Sequence, residues 1–455
     1  MSAEIRLNAF VVNRPVHQSP GLWRHPRDRS TEYKSLAYWT GLARLLEDSL
    51  FDAIFIADGI GPNDSYGGNL DASLRHGSLI PTNDPAPLVS AMAAATRHLC
   101  FALTGNLSME APWLLARKLS TLDHLTDGRL GWNIVTGKSA AGMRALGREI
   151  RGHDQRYDVA DEFLEIVYRL WEQSWEDGSV LWDREAGIFA RPEKVHTIRH
   201  RGPYFELDAV HLVEPSPQRT PVLFQAGSSD RGRSFAARHA EGVFLAAPGK
   251  ASAKRIIEDT RRRVEEAGRD PAALKFYPLM TIIVDETEAA ARAKLADYAR
   301  YKSYEGALVA FSGWSGVDVS QLAPEDELDF TLRDTGVTST LEVFSRSGAD
   351  RRWRLKDIAE HVGIGGQGPV VVGSAAQVAD ELEDWCATTG ADGFNLAYVV
   401  APETYADVGR WLVPELQRRG RFKTAYAEGT YREKLGGPAR LDLPHPAAGH
   451  RHPGP

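Results

Sequence analysis

The feature that most constrains this chain of 455 residues is a recurrence. Short apolar, β-rich runs alternate with longer stretches whose apolar residues fall three and four apart. The runs lie at 5–12, 51–57, 99–104, 130–136, 221–226, 242–247, 275–285 and 393–400. Between them, Leu36, Trp39, Ala43 and Leu46 mark one amphipathic helix, and Val159, Phe163, Ile166, Val167 and Leu170 another. Alternation of this kind implies parallel pairing, because parallel neighbours need a crossover element between them. Eight units closed on one another leave no exposed edge, so the pattern predicts a (β/α)8 TIM barrel of class α/β. The non-periodic stretches near 59–83, 180–220 and 301–368 are then long insertions, expected at the C-terminal face as lids. The chain after Gly420 is expected to pack outside the barrel, and 436–455 to be a disordered tail.

Composition narrows the function. A net charge of -7 argues against a nucleic-acid surface, and 43% hydrophobic with 25% charged residues is ordinary globular usage. No stretch is long and apolar enough to span a bilayer, and the first residues lack the form of a signal peptide. With two isolated cysteines, Cys100 and Cys386, the expectation is a cytoplasmic protein that handles small molecules. No metal site is expected, since histidines and carboxylates do not recur at short ligand spacing. Gly363, Gly365 and Gly368 spell a dinucleotide fingerprint, but they precede an apolar run instead of joining a strand to its helix.

In a barrel the chemistry gathers at the C-terminal ends of the strands. There the sequence offers Asp58, Thr104, Asn133 to Thr136, and Ser228 with Ser229. His17 in the first loop joins them, as do His153 and Tyr157 one helical turn apart. Ser228 and Ser229 stand where a strand turns into a helix, so they suit an anion, or Ser229 simply caps the helix. Asp58 before Gly59 and Thr104 before Gly105 can equally be turn and strand-end residues, and His153-Asp154 a helix-start pair.

Three stretches, STLDHLTDGRLGWNIVTG (120–137), HDQRYDVADEFLE (153–165) and EPSPQRTPVLFQAGSSDRGR (214–233), resemble one family. It is the bacterial-luciferase-like, flavin-dependent two-component monooxygenases, in the branch with nitrilotriacetate, dibenzothiophene-sulfone and long-chain alkane monooxygenases. PGLWRHP (20–26) and EGTYREKL (428–435) extend the likeness, which runs from residue 5 to about 435 as a single luciferase-like barrel. The resemblance implies reduced FMN at the strand ends, supplied by a separate NAD(P)H:flavin reductase and used with O2. It implies flavin contacts from Asp58, Thr104, His153, Tyr157 and a serine of the Ser228–Ser229 pair, which receives the 5′-phosphate, with Asn133 and Thr136 along the flavin face. The family often has a serine after this motif where Gly137-Lys138 stands, and Lys138 is expected to compensate electrostatically. A homodimer or homotetramer is also implied.

The same resemblance places Arg14, Asn63 and Phe311 in the substrate pocket, where the alkane branch carries a cysteine, a tyrosine and a histidine. That points away from an alkane and toward a polar aromatic or heterocyclic compound, sulfone-like or flavin-like, oxidised with C–S, C–N or C–C cleavage. His17 is the expected acid/base or substrate-orienting group, with Asn133 beside it in the catalytic set. The rival readings are alkane hydroxylation and a flavin-binding protein without catalysis.

Overall fold

Eight parallel strands pair in sequence order: Arg6–Val12, Ala53–Ala57, Cys100–Asn106, Leu130–Val135, Val222–Gln225, Gly242–Leu245, Lys275–Asp285 and Gly393–Ala397. The eighth returns to the first, Arg6 opposite Gly393, and closes the barrel. The computed structural model describes residues 4–137, 139–328 and 353–452. Lys138, for which a compensating charge was expected, lies outside the described residues. A further strand, Val370–Ser374, pairs with the upper half of the seventh strand beside the ring.

Side-chain alternation along the strands separates two apolar layers. Ala9, Val11, Ile54 and Ile56 point outward to the helices, where Trp39, Leu42, Ala43 and Leu46 of the helix Leu36–Asp48 meet them. Phe10, Phe55, Phe224 and Tyr277 point inward and fill the barrel. The bulk of Phe224 explains its neighbours. A Cβ on Gly131 or Gly242, in the flanking strands, would press on its ring.

Two expectations about the periphery are corrected. The chain after Gly420 does more than pack outside: Tyr431 and Leu435 join the interior cluster, with the Tyr431 ring 5.6 Å from Phe224, so this segment plugs the N-terminal end of the barrel. Residues 436–452 are ordered instead of a disordered tail. Ala447 is fully buried, His445 bonds the His239 carbonyl at 2.9 Å, and Arg440 and Arg451 both reach Glu172. Composition suggested disorder because it registers prolines and glycines but not the buried carboxylate that the two arginines neutralise.

The insertions also divide. Stretch 180–220 follows a helix, not a strand, and so leaves from the opposite end of the barrel to the mouth. It forms two hairpins, of which the second, Ile198–Arg201 with Glu206–Ala209, lies along the outer helices, where His200, Tyr204 and Phe205 converge on Glu162 and Trp113 Nε1 donates to the Val210 carbonyl. It is not built as a lid. The other two insertions are tied together at the mouth. Asn63 Nδ2 donates to the Val309 carbonyl at 2.9 Å, His76 meets Glu305 at 2.7 Å, and Ser303 N donates to the Pro20 carbonyl at 3.0 Å. The helix Tyr304–Ser315 thus rests on the loops after the first two strands. Among the described residues, no helix is long and apolar enough to cross a membrane.

Candidate active site

The strand ends carry a connected polar arc. Thr104 Oγ1 donates to the Ile56 carbonyl at 2.8 Å, and Asn133 Nδ2 donates to Thr104 Oγ1 at 2.9 Å. That leaves Asn133 Oδ1 buried with no hydrogen-bond partner among the described residues. One strand further round, Gln225 repeats the arrangement, its Nε2 3.4 Å from the Tyr157 hydroxyl and its Oε1 buried without a partner. A buried amide oxygen left unmatched costs about 1–3 kcal/mol, so two in one arc mark a surface shaped for something that donates to them. Gln225 was missed by the sequence reading, although a lone glutamine ending the run PVLFQ was a usable signal.

The arc continues into the start of the helix Asp230–His239. Ser229 Oγ accepts from Gly232 N at 3.1 Å, so Ser229 is the helix cap, the plainer of its two readings. The Ser228 hydroxyl has no partner among the described residues, while its carbonyl is held by Arg233. Gly227 and Gly232 enclose the Tyr157 hydroxyl so closely that a Cβ on either would strike it. Tyr157 is 5% exposed, and burial pushes its hydroxyl pKa up. His153 begins its helix, bonded through Nδ1 to Asp154 at 2.7 Å, with its ring 5.4 Å from Tyr157. Thr136 is positioned through its carbonyl, which accepts from Ser108.

On the other flank, Asp58 and Thr104 line a cleft of about 250 Å³ that also contains Asp84 and Lys118. Burial and, secondarily, the nearby Asp84 carboxylate raise the Asp58 pKa to about 6. Arg14 is 8% exposed, donates through Nε to the Val16 carbonyl at 3.0 Å, and pairs with no carboxylate among the described residues. Burial lowers its pKa to about 10, which still leaves it a cation at neutral pH. His17 is buried against Phe10, with ring centroids 4.4 Å apart, and neither ring nitrogen makes a hydrogen bond of good geometry among the described residues. Burial, then the Arg14 charge, holds its pKa well below the usual histidine value, so the ring is neutral.

The remaining pocket residues have local work. Asn63 commits Nδ2 to Val309 and Oδ1 to Ser65 N, and Phe311 is fully buried in the apolar cluster shared by the helices Tyr304–Ser315 and Leu355–Gly363. Asn63 therefore meets the helix that bears Phe311. The rejected glycine fingerprint serves packing: Gly366 sits so close to Gln18 that a side chain there would collide with it.

The chain is similar to known proteins over nearly its whole length. The family described as "Luciferase-like monooxygenase" matches residues 21–393. A dimethyl-sulfide monooxygenase of Hyphomicrobium sulfonivorans is 43% identical over 99% of this chain and 94% of its own. A long-chain alkane monooxygenase of Geobacillus thermodenitrificans is likewise 43% identical, over 99% of each chain. A crystal structure of a riboflavin lyase with modified FMN and riboflavin superposes with a TM-score of 0.92 at 32% identity, covering 99% of this chain and 100% of that one.

Proposed function

The chain belongs to the luciferase-like monooxygenases, and from that premise we propose that it uses FMN, reduced by a separate NAD(P)H:flavin reductase, with O2 to oxidise a small polar organic substrate. The observation that carries this is the row of buried, unmatched polar atoms at the mouth: Asn133 Oδ1, Gln225 Oε1 and both nitrogens of His17. These residues fit a flat, hydrogen-bonding ring system with an anionic tail. Asn133, Gln225, Thr104 and Thr136 hold the ring, with Asp58 at the far flank. The free Ser228 hydroxyl and the first N–H groups of the helix Asp230–His239 receive the phosphate, with Tyr157 and His153 beside them. Reduced flavin supplies the electrons that let O2 place one oxygen atom in the substrate while the other leaves as water.

The chain's own contribution is binding, orientation and exclusion of water. The two insertions joined at Asn63 and Glu305 cover the mouth. His17, neutral and unbonded, accepts or donates one hydrogen bond to the substrate. Arg14 selects what enters. A buried cation without a carboxylate is better matched by a polar or anionic substrate than by an alkane, which favours a sulfone-like or flavin-like heterocycle and C–S, C–N or C–C cleavage. The experiment supplies reduced FMN and oxygen with dimethyl sulfide, a long-chain alkane or riboflavin, and follows peroxide release and oxygenated product. Arg14→Met is expected to raise KM for the best polar substrate by roughly 10-fold or more, the value of one charge-assisted hydrogen bond. Preferential turnover of the alkane, unaffected by that substitution, would reverse the substrate assignment. Tight FMN binding with no turnover of anything offered selects the non-catalytic reading.

A further inference from the structure

Far from the mouth, on the flank where the C-terminal segment meets the 180–220 insertion, one group among the described residues can hold a metal ion. The ligating atoms of Glu176, His196 and His452 all lie within 4.8 Å of one another, and each residue is half-buried. We propose that these three residues bind one Zn²⁺ ion that staples the C-terminal segment to the insertion.

The hydrogen bonds around the cluster prepare it for a cation. His452 Nε2 lies 3.0 Å from the Gln173 carbonyl. A carbonyl only accepts, so Nε2 carries the ring proton, and Nδ1 keeps its lone pair for a ligand. Metal-binding histidines are commonly oriented in this way, with the second ring nitrogen donating to a backbone carbonyl. His196 Nε2 lies 2.8 Å from Glu176 Oε1, so the two atoms share one proton at the place where a cation would sit. Zinc replaces that proton. The displaced proton moves to Nδ1 of the same ring or to water, so Nε2 and the carboxylate both become ligands. The His196 and His452 rings already face each other at 4.6 Å between centroids and 41°. Two imidazoles and one carboxylate suit Zn²⁺, with water at the fourth position.

The approach of His452 is fixed independently of any metal. Its neighbour Arg451 bonds Glu172 at 2.8 Å, and Arg440 bonds both Glu172 and Asp177. A counter-effect also exists. Lys194 Nζ stands 3.7 Å from Glu176 Oε2, the oxygen away from His196, while donating to the Asp177 carbonyl at 3.0 Å. Its charge weakens the site without occupying it. Sequence spacing could not reveal this group, because Glu176 and His196 lie in the middle of the chain and His452 near its C-terminus.

Cobalt is the direct probe, because a four-coordinate Co²⁺ ion absorbs visibly. Metal-free protein titrated with Co²⁺ is expected to gain that absorption up to one equivalent, to lose it on addition of Zn²⁺, and to unfold at a higher temperature with Zn²⁺ than without. His452→Ala is expected to abolish the absorption and the thermal shift while leaving FMN-dependent turnover and the metal-free midpoint close to the parent's. Glu176→Gln should lower Co²⁺ affinity at least 10-fold. Absence of stoichiometric uptake by the parent, or an unchanged spectrum and shift in His452→Ala, would overturn the proposal.

Discussion

The two ends of this barrel treat polar groups in opposite ways. At the N-terminal end, charges and amides are matched. Buried Arg432 bonds Glu241 at 2.6 Å and the Thr220 carbonyl at 2.8 Å, Gln218 bonds Asp123 at 2.7 Å and the Leu130 carbonyl, and Lys423 pairs with Asp52 at 2.8 Å. The Tyr431 hydroxyl and Arg432 Nη1 are exceptions. At the C-terminal end, unmatched atoms gather at one mouth among the described residues: both nitrogens of His17, Oδ1 of Asn133, Oε1 of Gln225, and an Arg14 guanidinium without a carboxylate. One end is finished by folding alone. On the proposed function the other is finished only when a ligand arrives, which is how a barrel separates stability from chemistry.

The largest effect that tests this contrast belongs to the matched end. Arg432→Ala leaves Glu241 buried without its cation and is expected to cost about 3–5 kcal/mol in urea unfolding, with FMN affinity of the folded protein unchanged. A loss under about 1 kcal/mol would remove the N-terminal end from its stabilising role. At the mouth the signs reverse. Asn133→Ala is expected to lower turnover roughly 10- to 100-fold while costing about 1 kcal/mol of stability, because only the bond to Thr104 is lost on folding.

The serine pair divides the contrast within two residues. Ser229→Ala should cost about 1 kcal/mol through the lost cap. Ser228→Ala should leave stability unchanged and weaken FMN binding roughly 10-fold. A double variant that binds FMN as tightly as the parent would refute the phosphate assignment.

The smallest effect is a pH dependence. Because burial raises the Asp58 pKa to about 6 from 3.8, the folded protein holds this proton more tightly than the unfolded chain does. Its contribution to stability therefore falls as pH rises through that window and stays low above it. Asp58→Asn should flatten this part of the pH–stability curve and be relatively more stable at pH 7 than at pH 4. An unchanged slope would show that Asp58 ionises normally.

The barrel was legible because parallel strands and crossover helices impose periods of two and 3.6 on neighbouring stretches, and those periods survive in one dimension. The motifs around Asn133, His153 and Ser228 led to the right family and branch, since they are local: strand, turn and helix start in a few residues. Gln225 was passed over as the end of an apolar run. The 180–220 insertion was misplaced because its length marks an insertion but not the end of the barrel from which it leaves.

What the sequence determined by itself was therefore the order of strands and helices and the kinds of residue at each strand end, because both depend on neighbours along the chain. Only the tertiary structure decided which of those residues are already bonded. It made Ser229 a cap and left Ser228 free, turned the C-terminal segment into a plug and an ordered strap, and brought His452 beside Glu176. Whether a polar atom is matched depends on partners hundreds of residues away, and burial, which sets the cost of leaving it unmatched, exists only once the chain has folded.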